Sequence, residues 1–481
     1  MGMQATHRTE RRGAAAIALA ALLLAALLGA LLAGGCARLA GEPKDAARDR
    51  TGVFLYLTCT RKPATGIRFQ LSGLRFMAKD GTWTDCPLER LVDAEESHAG
   101  QVLLAETPLP RGTYVRMAWR FGGAWVADAR KSVALVLPDD GTTETAVDLA
   151  VPPDGRTAFF AEWDPDQAVV DSYRFEPRFR VQGQRMAMTD VQAFVACAGS
   201  DVVMVLDREQ DAVAAVIGVG RGPVGVAADP ARNRVYVANA GSGNISVIDA
   251  AAGRVVATLP NAGCSPTDLA LSADGKWLLA VNPDADNVSV FDTSVLSLVR
   301  QITVEREPAG ITADPGRGLF YVASAAANTV AVLDPTRAEP VRTLRVGLRP
   351  TGLAVLDSVL YVANTGSDNI SVVEPPSFAV ATTIPAPGAP TWVAPCPADR
   401  LCVAGAGADQ VSLVYAPTRM VLKTLPGGRG PGRMAADLER RKLFVANEDS
   451  AEVAVLDLVS GRVRAVLPVG RQPRGVAVPG Q

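Results

Sequence analysis

The chain has 481 residues, a formal net charge of −2, 48% hydrophobic and 20% charged residues. That balance is globular rather than disordered, and the length makes more than one domain the expectation. No long basic block occurs, so the chain lacks the electrostatic footprint of a nucleic-acid binder.

At the N terminus, Arg8, Arg11 and Arg12 precede an uncharged run, GAAAIALAALLLAALLGALLAGG, that ends at Gly35. This is the anatomy of an export signal. Cys36 follows Leu32-Ala33-Gly34-Gly35. The arrangement resembles the bacterial lipobox, in which the cysteine is lipidated and becomes the first residue of the mature protein; Ala33 stands where that motif usually has Leu. The run is also long enough to span a bilayer, so an uncleaved anchor is the alternative. Ala37, in place of the Asp that marks inner-membrane retention, implies the outer membrane by the same resemblance. Residues 1–35 are therefore read as signal peptide and 36–51, polar and unpatterned, as a tether.

Residues 52–183 read as a small β-sandwich. Ile67, Phe69 and Leu71 alternate, and Leu74 and Phe76 alternate in the opposite phase after Ser72-Gly73, which predicts a β-bulge. Asp80-Gly81 is a hairpin signal. Further strands are expected over 52–58, 112–121, 132–137, 145–151 and 156–162. The run LLAETPLPRGTYVRMAW, with the later YRFEPRFRV, resembles an uncharacterised domain of bacterial lipoproteins, which implies a spacer or an adhesion module and no known activity.

From residue 188 to 481 the chain repeats itself. VYVANAGSGNISVID at 235–249 returns as LYVANTGSDNISVVE at 360–374. Equivalent places are Cys197, Asn239, Asn282, Ser324, Asn364, Gly405 and Asn447, spaced 40 to 43 residues apart. A period near 40 filled with short β-branched runs and turns is a propeller signature. Each unit has a strand after a proline turn, a strand ending in Asn or a small residue, a Gly/Asn/Asp turn, a strand ending in Asp, and an outer strand. The region opens on a second strand and closes on a first strand at 473–478. The two ends therefore complete one blade and leave no open edge. The expected fold is all-β, a seven-bladed β-propeller preceded by the sandwich.

Tyr236-Val237-Ala238-Asn239, Tyr321-Val322-Ala323-Ser324, Tyr361-Val362-Ala363-Asn364 and Phe444-Val445-Ala446-Asn447, with the VG-x-x-P turns at Val219, Val346 and Val469, resemble the YVTN repeat. The resemblance implies an exported seven-bladed propeller of the YncE-like group, whose members have mixed functions.

The only histidines are His7 and His98, so no histidine triad, haem ligand or histidine metal cluster can be built in the repeat region. No CxxC occurs, and neither metal nor cofactor is expected. Arg221, Arg306, Arg349, Arg429 and Arg471 each stand just before the proline of a blade, and are expected to ring one mouth of the channel as a site for carboxylates or phosphates. The plainer alternative is that they pair with the acids of the same face: Asp201, Asp284, Asp286, Asp368, Asp409, Glu448 and Asp449. Asp284 and Asp286 are read as turn residues rather than a calcium loop, and the sequons at Asn244, Asn287 and Asn369 as turns of the repeat. Trp277 and Trp392 are expected to pack, with sugar stacking the alternative. Cys396 and Cys402 flank a short turn and Cys59 and Cys86 share a domain, which makes them the candidate disulfides.

The reading is a cell-envelope lipoprotein, held to the membrane by lipid on Cys36, facing periplasm or medium. It is expected to be a non-catalytic binding or interaction scaffold for an envelope protein, a glycan or an anionic small molecule. A lactonase-like hydrolase using Asp284, Asp286 and Glu448 is the rival, and a structural surface-layer component is a third reading.

Overall fold

The computed structural model describes residues 52–64, 66–127, 132–374, 377–386 and 388–479. The export signal, Cys36 and the tether lie outside the described residues. Seven four-stranded antiparallel meanders occur among the described residues. Their innermost strands are Pro473–Ala477, Pro223–Asp229, Asp268–Leu271, Pro308–Asp314, Pro350–Leu356, Pro390–Cys396 and Pro431–Asp437, which number blades 1 to 7. Each inner strand touches the next, and blade 7 touches blade 1, so the cycle closes. Blade 1 joins the two ends of the repeat region: Pro473–Ala477 pairs antiparallel with Gln192–Cys197.

The strands lack polar alternation because each blade is packed on both faces. Arg234–Asn239 and Asn244–Asp249 are buried at nearly every position.

The repeated asparagine explains the repeated VG. Asn239, Asn282, Asn364 and Asn447 are fully or almost fully buried at the end of the second strand. In three blades the Asn Nδ2 donates across the turn, from Asn239 to Asn244 Oδ1 and Ser246 Oγ, and likewise from Asn282 and Asn364. The sequon asparagines are thus the acceptors of this bond. The amide lies against the glycine of the entering loop: a Cβ on Gly220 would sit 2.6 Å from Asn239 Cγ, and one on Gly347 2.5 Å from Asn364 Cγ. No side chain fits there without displacing the amide.

A second device links successive blades. The residue closing the turn between second and third strands is left-handed in every blade: Asp201, Gly243, Asp286, Asn328, Asp368, Asp409 and Ala451. Its carbonyl accepts from the loop leading to the next blade in all seven. In five blades its side chain also accepts an N–H from that loop. Asp201 takes Gly222, Asp286 takes Glu307, Asn328 takes Arg349, Asp368 takes Ala389 and Asp409 takes Gly430, each at 2.8–2.9 Å. Short polar residues tolerate this backbone conformation, which is why Asp and Asn recur there.

The joint between blades 7 and 1 has its own fastening. Arg208 Nη1 meets Asp437 Oδ2 at 2.7 Å, and Lys442 Nζ meets Asp211 Oδ1 at 2.6 Å, both pairs being buried. Arg464 adds a second cation to Asp211.

The N-terminal domain is two facing sheets. One has the order Phe179–Gly183, Arg156–Trp163, Gly52–Cys59, Val102–Thr107, with the two central strands parallel. The other is built on Gly66–Ala78 and Gly112–Ala127. Gly66–Ala78 is one strand whose register shifts around Leu71 and Gly73, and the buried positions change parity there, as the alternation predicts. Phe69, Trp119, Phe175 and Phe179 fill the space between the sheets, Trp119 stacking on Phe179 at 3.9 Å.

The strand GVFLYLTC is apolar on both faces for a reason. Val53, Leu55 and Leu57 enter the sandwich core, whereas Phe54 and Tyr56 enter a core shared with blades 1 and 7. Tyr56 Oη donates to Pro468 O at 3.1 Å. The outer strand of blade 1, Ala212–Gly218, is capped by side-chain amides in place of a neighbouring strand. Gln101 exchanges both bonds with Val213, and Gln184 with Val216. Sandwich and ring thus fall within one compact unit.

Candidate functional site

The five loop arginines lie on the face of the ring where the inner strands begin, and all five are exposed. None lines the cavity at the mouth of the ring. The turn that each loop rests on sets their direction: a Cβ on Gly241 would meet Arg221 Cβ at 3.2 Å, one on Gly199 would meet Arg471 Cβ at 2.9 Å, and one on Gly366 would meet Arg349 Cβ at 3.3 Å. The arginine stems therefore begin over their own blade's turn. Arg471 reaches the sandwich and holds both oxygens of Glu106 at 3.2 Å. Arg306, Arg349 and Arg429 have no ion-pair partner among the described residues. The acids of this face serve mainly as the backbone acceptors described above; Asp201 also meets Arg156 of the sandwich at 3.5 Å.

The mouth is formed by the residues that follow each proline. Val224, Ala309, Thr351, Thr391, Gly432 and Arg474 stand one position after it and line a cavity of about 270 Å³, together with Trp392, Arg433 and Glu448. The next position decides what lies beneath. It is Gly225, Gly310, Gly352 and Gly475 in four blades, and Asp268, Trp392 and Arg433 in the other three. At the glycines the neighbouring backbone comes too close for a side chain, with Cβ positions only 2.0–2.8 Å from its atoms. The other three blades send their side chains to the centre.

Arg433, from blade 7, crosses the ring to blade 3. Its Nη1 pairs with Asp268 Oδ1 and its Nη2 donates to Thr267 O at 2.9 Å. The guanidinium lies 4.6 Å from the ring centroid of Trp392. Asp268 also accepts N–H bonds from Leu269 at 3.0 Å and from Ile311, in blade 4, at 2.9 Å. Burial raises the Asp268 carboxyl above its ordinary range, and Arg433 and the backbone donors oppose that rise. At the rim, Arg474 holds Glu448 through Nε at 2.9 Å and Nη2 at 2.6 Å. Thr351 Oγ1 bridges Thr365 Oγ1 at 2.8 Å and Thr391 O at 3.0 Å. The mouth therefore offers guanidinium groups, an indole and hydroxyls, while both carboxylates at or under it are held by arginine.

Asp268 is absent from the sequence reading, and Arg433 is not among the arginines expected to ring the mouth. The signal was present as the break in Pro-x-Gly at three repeats. His98 is exposed on the short helix Ala94–Ala99. Trp277 carries Lys276 over its ring at 4.8 Å.

Of the candidate disulfides, Cys396–Cys402 is formed, tying the first two strands of blade 6. Cys59 and Cys86 are free thiols. They do not pair because they end strands of different sheets: Cys86 Sγ meets Thr107 Oγ1 at 3.1 Å, and Cys59 is hydrogen-bonded with Ser97. Burial pushes the Cys59, Cys86 and Cys197 thiols up, which disfavours the reactive thiolate.

Residues 184–317 match the YNCE-like beta-propeller family. No curated protein is a significant match to the sequence. Among solved structures, a functionally unknown protein from Desulfotomaculum acetoxidans DSM 771 is similar at 18% identity over 60% of this chain and 98% of that one, with a TM-score of 0.53. Hydrazine synthase of Kuenenia stuttgartiensis is 19% identical over 53% of this chain and 88% of its own, with a TM-score of 0.46. The dihydro-heme d1 dehydrogenase NirN in complex with DHE is 19% identical over 61% and 76%, with a TM-score of 0.47. At these identities the likeness is one of fold.

Proposed function

We propose that this chain, which carries a YNCE-like β-propeller, is an exported cell-envelope binding protein or interaction scaffold that takes an anionic ligand at the mouth of the ring. The observation that supports this most is the floor of the mouth. Arg433 is set over Trp392 and already holds one carboxylate, that of Asp268. Forked guanidinium donors suit carboxylates and phosphates. Asp268 and Glu448 are both bound by arginine, which ill suits them to act as general bases. That favours binding over a lactonase-like hydrolysis. Export is supported by the N-terminal apolar run and by the Cys396–Cys402 disulfide, which persists in oxidising compartments.

The test is a low-salt thermal-shift series with citrate, glucuronate and phosphate on the wild type, Arg433→Met and Arg474→Met. A ligand that binds only the native state raises the melting temperature progressively with its concentration, by about 2.7 kcal/mol of stabilisation at a hundred times its Kd. The expected result is a shift with at least one anion that both variants lose. No shift with any anion, or one that survives both substitutions, rejects the mouth as the site.

A further inference from the structure

A second cavity, of about 360 Å³, opens at the opposite end of the ring, flanked by blades 7, 1 and 2. Its origin is the way the ring closes. In blades 2 and 7 a tight turn joins the first strand to the second, with Asp229 bound to Arg232 and Asp437 bound to Arg440. Blade 1 takes its first strand from a distant part of the chain, so no tight turn joins Ala477 to Gln192 as one joins the first two strands of blades 2 and 7.

The wall is polar and its buried charges are matched, while Asp190, Arg234 and Glu439 line it from more exposed positions. Arg208 meets Asp437 at 2.7 Å and donates to Asp190 O, and Asp229 meets Arg232 at 2.8 Å. Gln192, fully buried, donates through Nε2 to Ala187 O at 2.8 Å and Ala250 O at 3.1 Å. Two polar atoms in this wall are left over: Gln192 Oε1 and Arg208 Nε are buried and have no hydrogen-bond partner among the described residues. One is an acceptor and the other a donor. Buried polar atoms without partners are uncommon in native proteins and call for an explanation. A hydroxyl group meets both needs, since it donates and accepts. Apolar wall is supplied by Phe194, Val235 and Leu438. The volume is far above the roughly 30 Å³ share of one water, and lies within the small-molecule pocket range of about 300–1,000 Å³.

We infer that this cavity binds a small neutral polyhydroxylated ligand of monosaccharide or cyclitol size. Both leftover atoms are sealed from solvent in this structure, so the ligand reaches them through a rotamer-scale movement of Gln192 or Arg208. The site is separate from the mouth and does not depend on the proposed anion binding.

Ligand-observed saturation-transfer NMR on the purified full-length chain tests this with glucose and myo-inositol against glucuronate and glucose 6-phosphate. Saturable binding of a neutral probe at millimolar concentration, equal at low and high salt, is expected. Gln192→Met weakens it about tenfold by removing the acceptor. Ala228→Leu fills the cavity from the inner strand of blade 2 and abolishes it; if that variant does not fold, Leu438→Trp at the exposed rim serves in its place. The inference is overturned if neither neutral probe binds, if the charged probes bind better, or if binding survives the filled cavity.

Discussion

Arg433→Met removes the guanidinium that crosses the ring and leaves Asp268 behind. The Asp268 side chain is 4% exposed, so it cannot be rescued by water. Breaking a buried ion pair from one side costs about 3–5 kcal/mol, because the remaining charge keeps its desolvation cost and loses its partner. The N–H groups of Leu269 and Ile311 remain on the carboxylate and place the loss near the lower end, about 3 kcal/mol at neutral pH. The loss also has a pH dependence with a definite sign. Burial already holds this carboxyl above the usual carboxylate range, and without Arg433 it rises further. From about pH 4 upward the folded protein then retains a proton that the unfolded chain releases, so stability falls as pH rises through that window. The deficit of the variant is smallest near pH 4 and grows toward neutrality. Urea unfolding followed by tryptophan fluorescence at several pH values measures it, and Arg433→Met with Asp268→Leu closes a double-mutant cycle. The double variant should be more stable than Arg433→Met alone, since it buries no unpaired charge. A deficit that stays flat with pH, or a double variant weaker than the single, would refute the account.

Gly347→Ala should cost about 1–3 kcal/mol through overpacking against Asn364, and less in an Asn364→Ala background; melting temperatures of the four proteins check the coupling. Phe54→Ala should cost about 3–5 kcal/mol. It should also speed amide exchange in Ala212–Gly218, the blade edge capped by Gln101 and Gln184. Faster exchange confined to the sandwich would mean that the shared core does not couple the two parts.

The propeller fold was legible because its signals are local and repeated. Pro223 names the start of a first strand, and Tyr236 to Asn239 the end of the second, in nearly every unit. The bulge near Gly73 was legible for the same reason, as a change of phase within one strand. The short helix Ala94–Ala99 escapes the sequence reading, although Asp93 caps it by accepting from Glu95 N at 2.9 Å and Glu95 and Glu96 stand in its first turn. The second buried face of GVFLYLTC was not legible, since an apolar run does not say what covers it. The loop arginines are the conspicuous pattern, yet their direction depends on the turn on which each loop rests, and Arg433 meets Asp268 across 165 residues that no local rule connects.

The side-chain bonds that leave the left-handed turns all run the same way round the ring, each reaching forward by 21 residues. They give a closed circle a beginning and an end. A lesion at Asp368 would be felt first in blade 6, one at Asp409 in blade 7, and neither would pass backward by this route. The relay is interrupted where Gly243 and Ala451 supply only a carbonyl. On a ribosome the same polarity lets each new blade be fastened by the one already made. Only the last joint must wait for the far end of the chain. That joint is also where the relay falls silent at Ala451, and where a borrowed strand, the Arg208 and Lys442 ion pairs and the sandwich core do the holding instead.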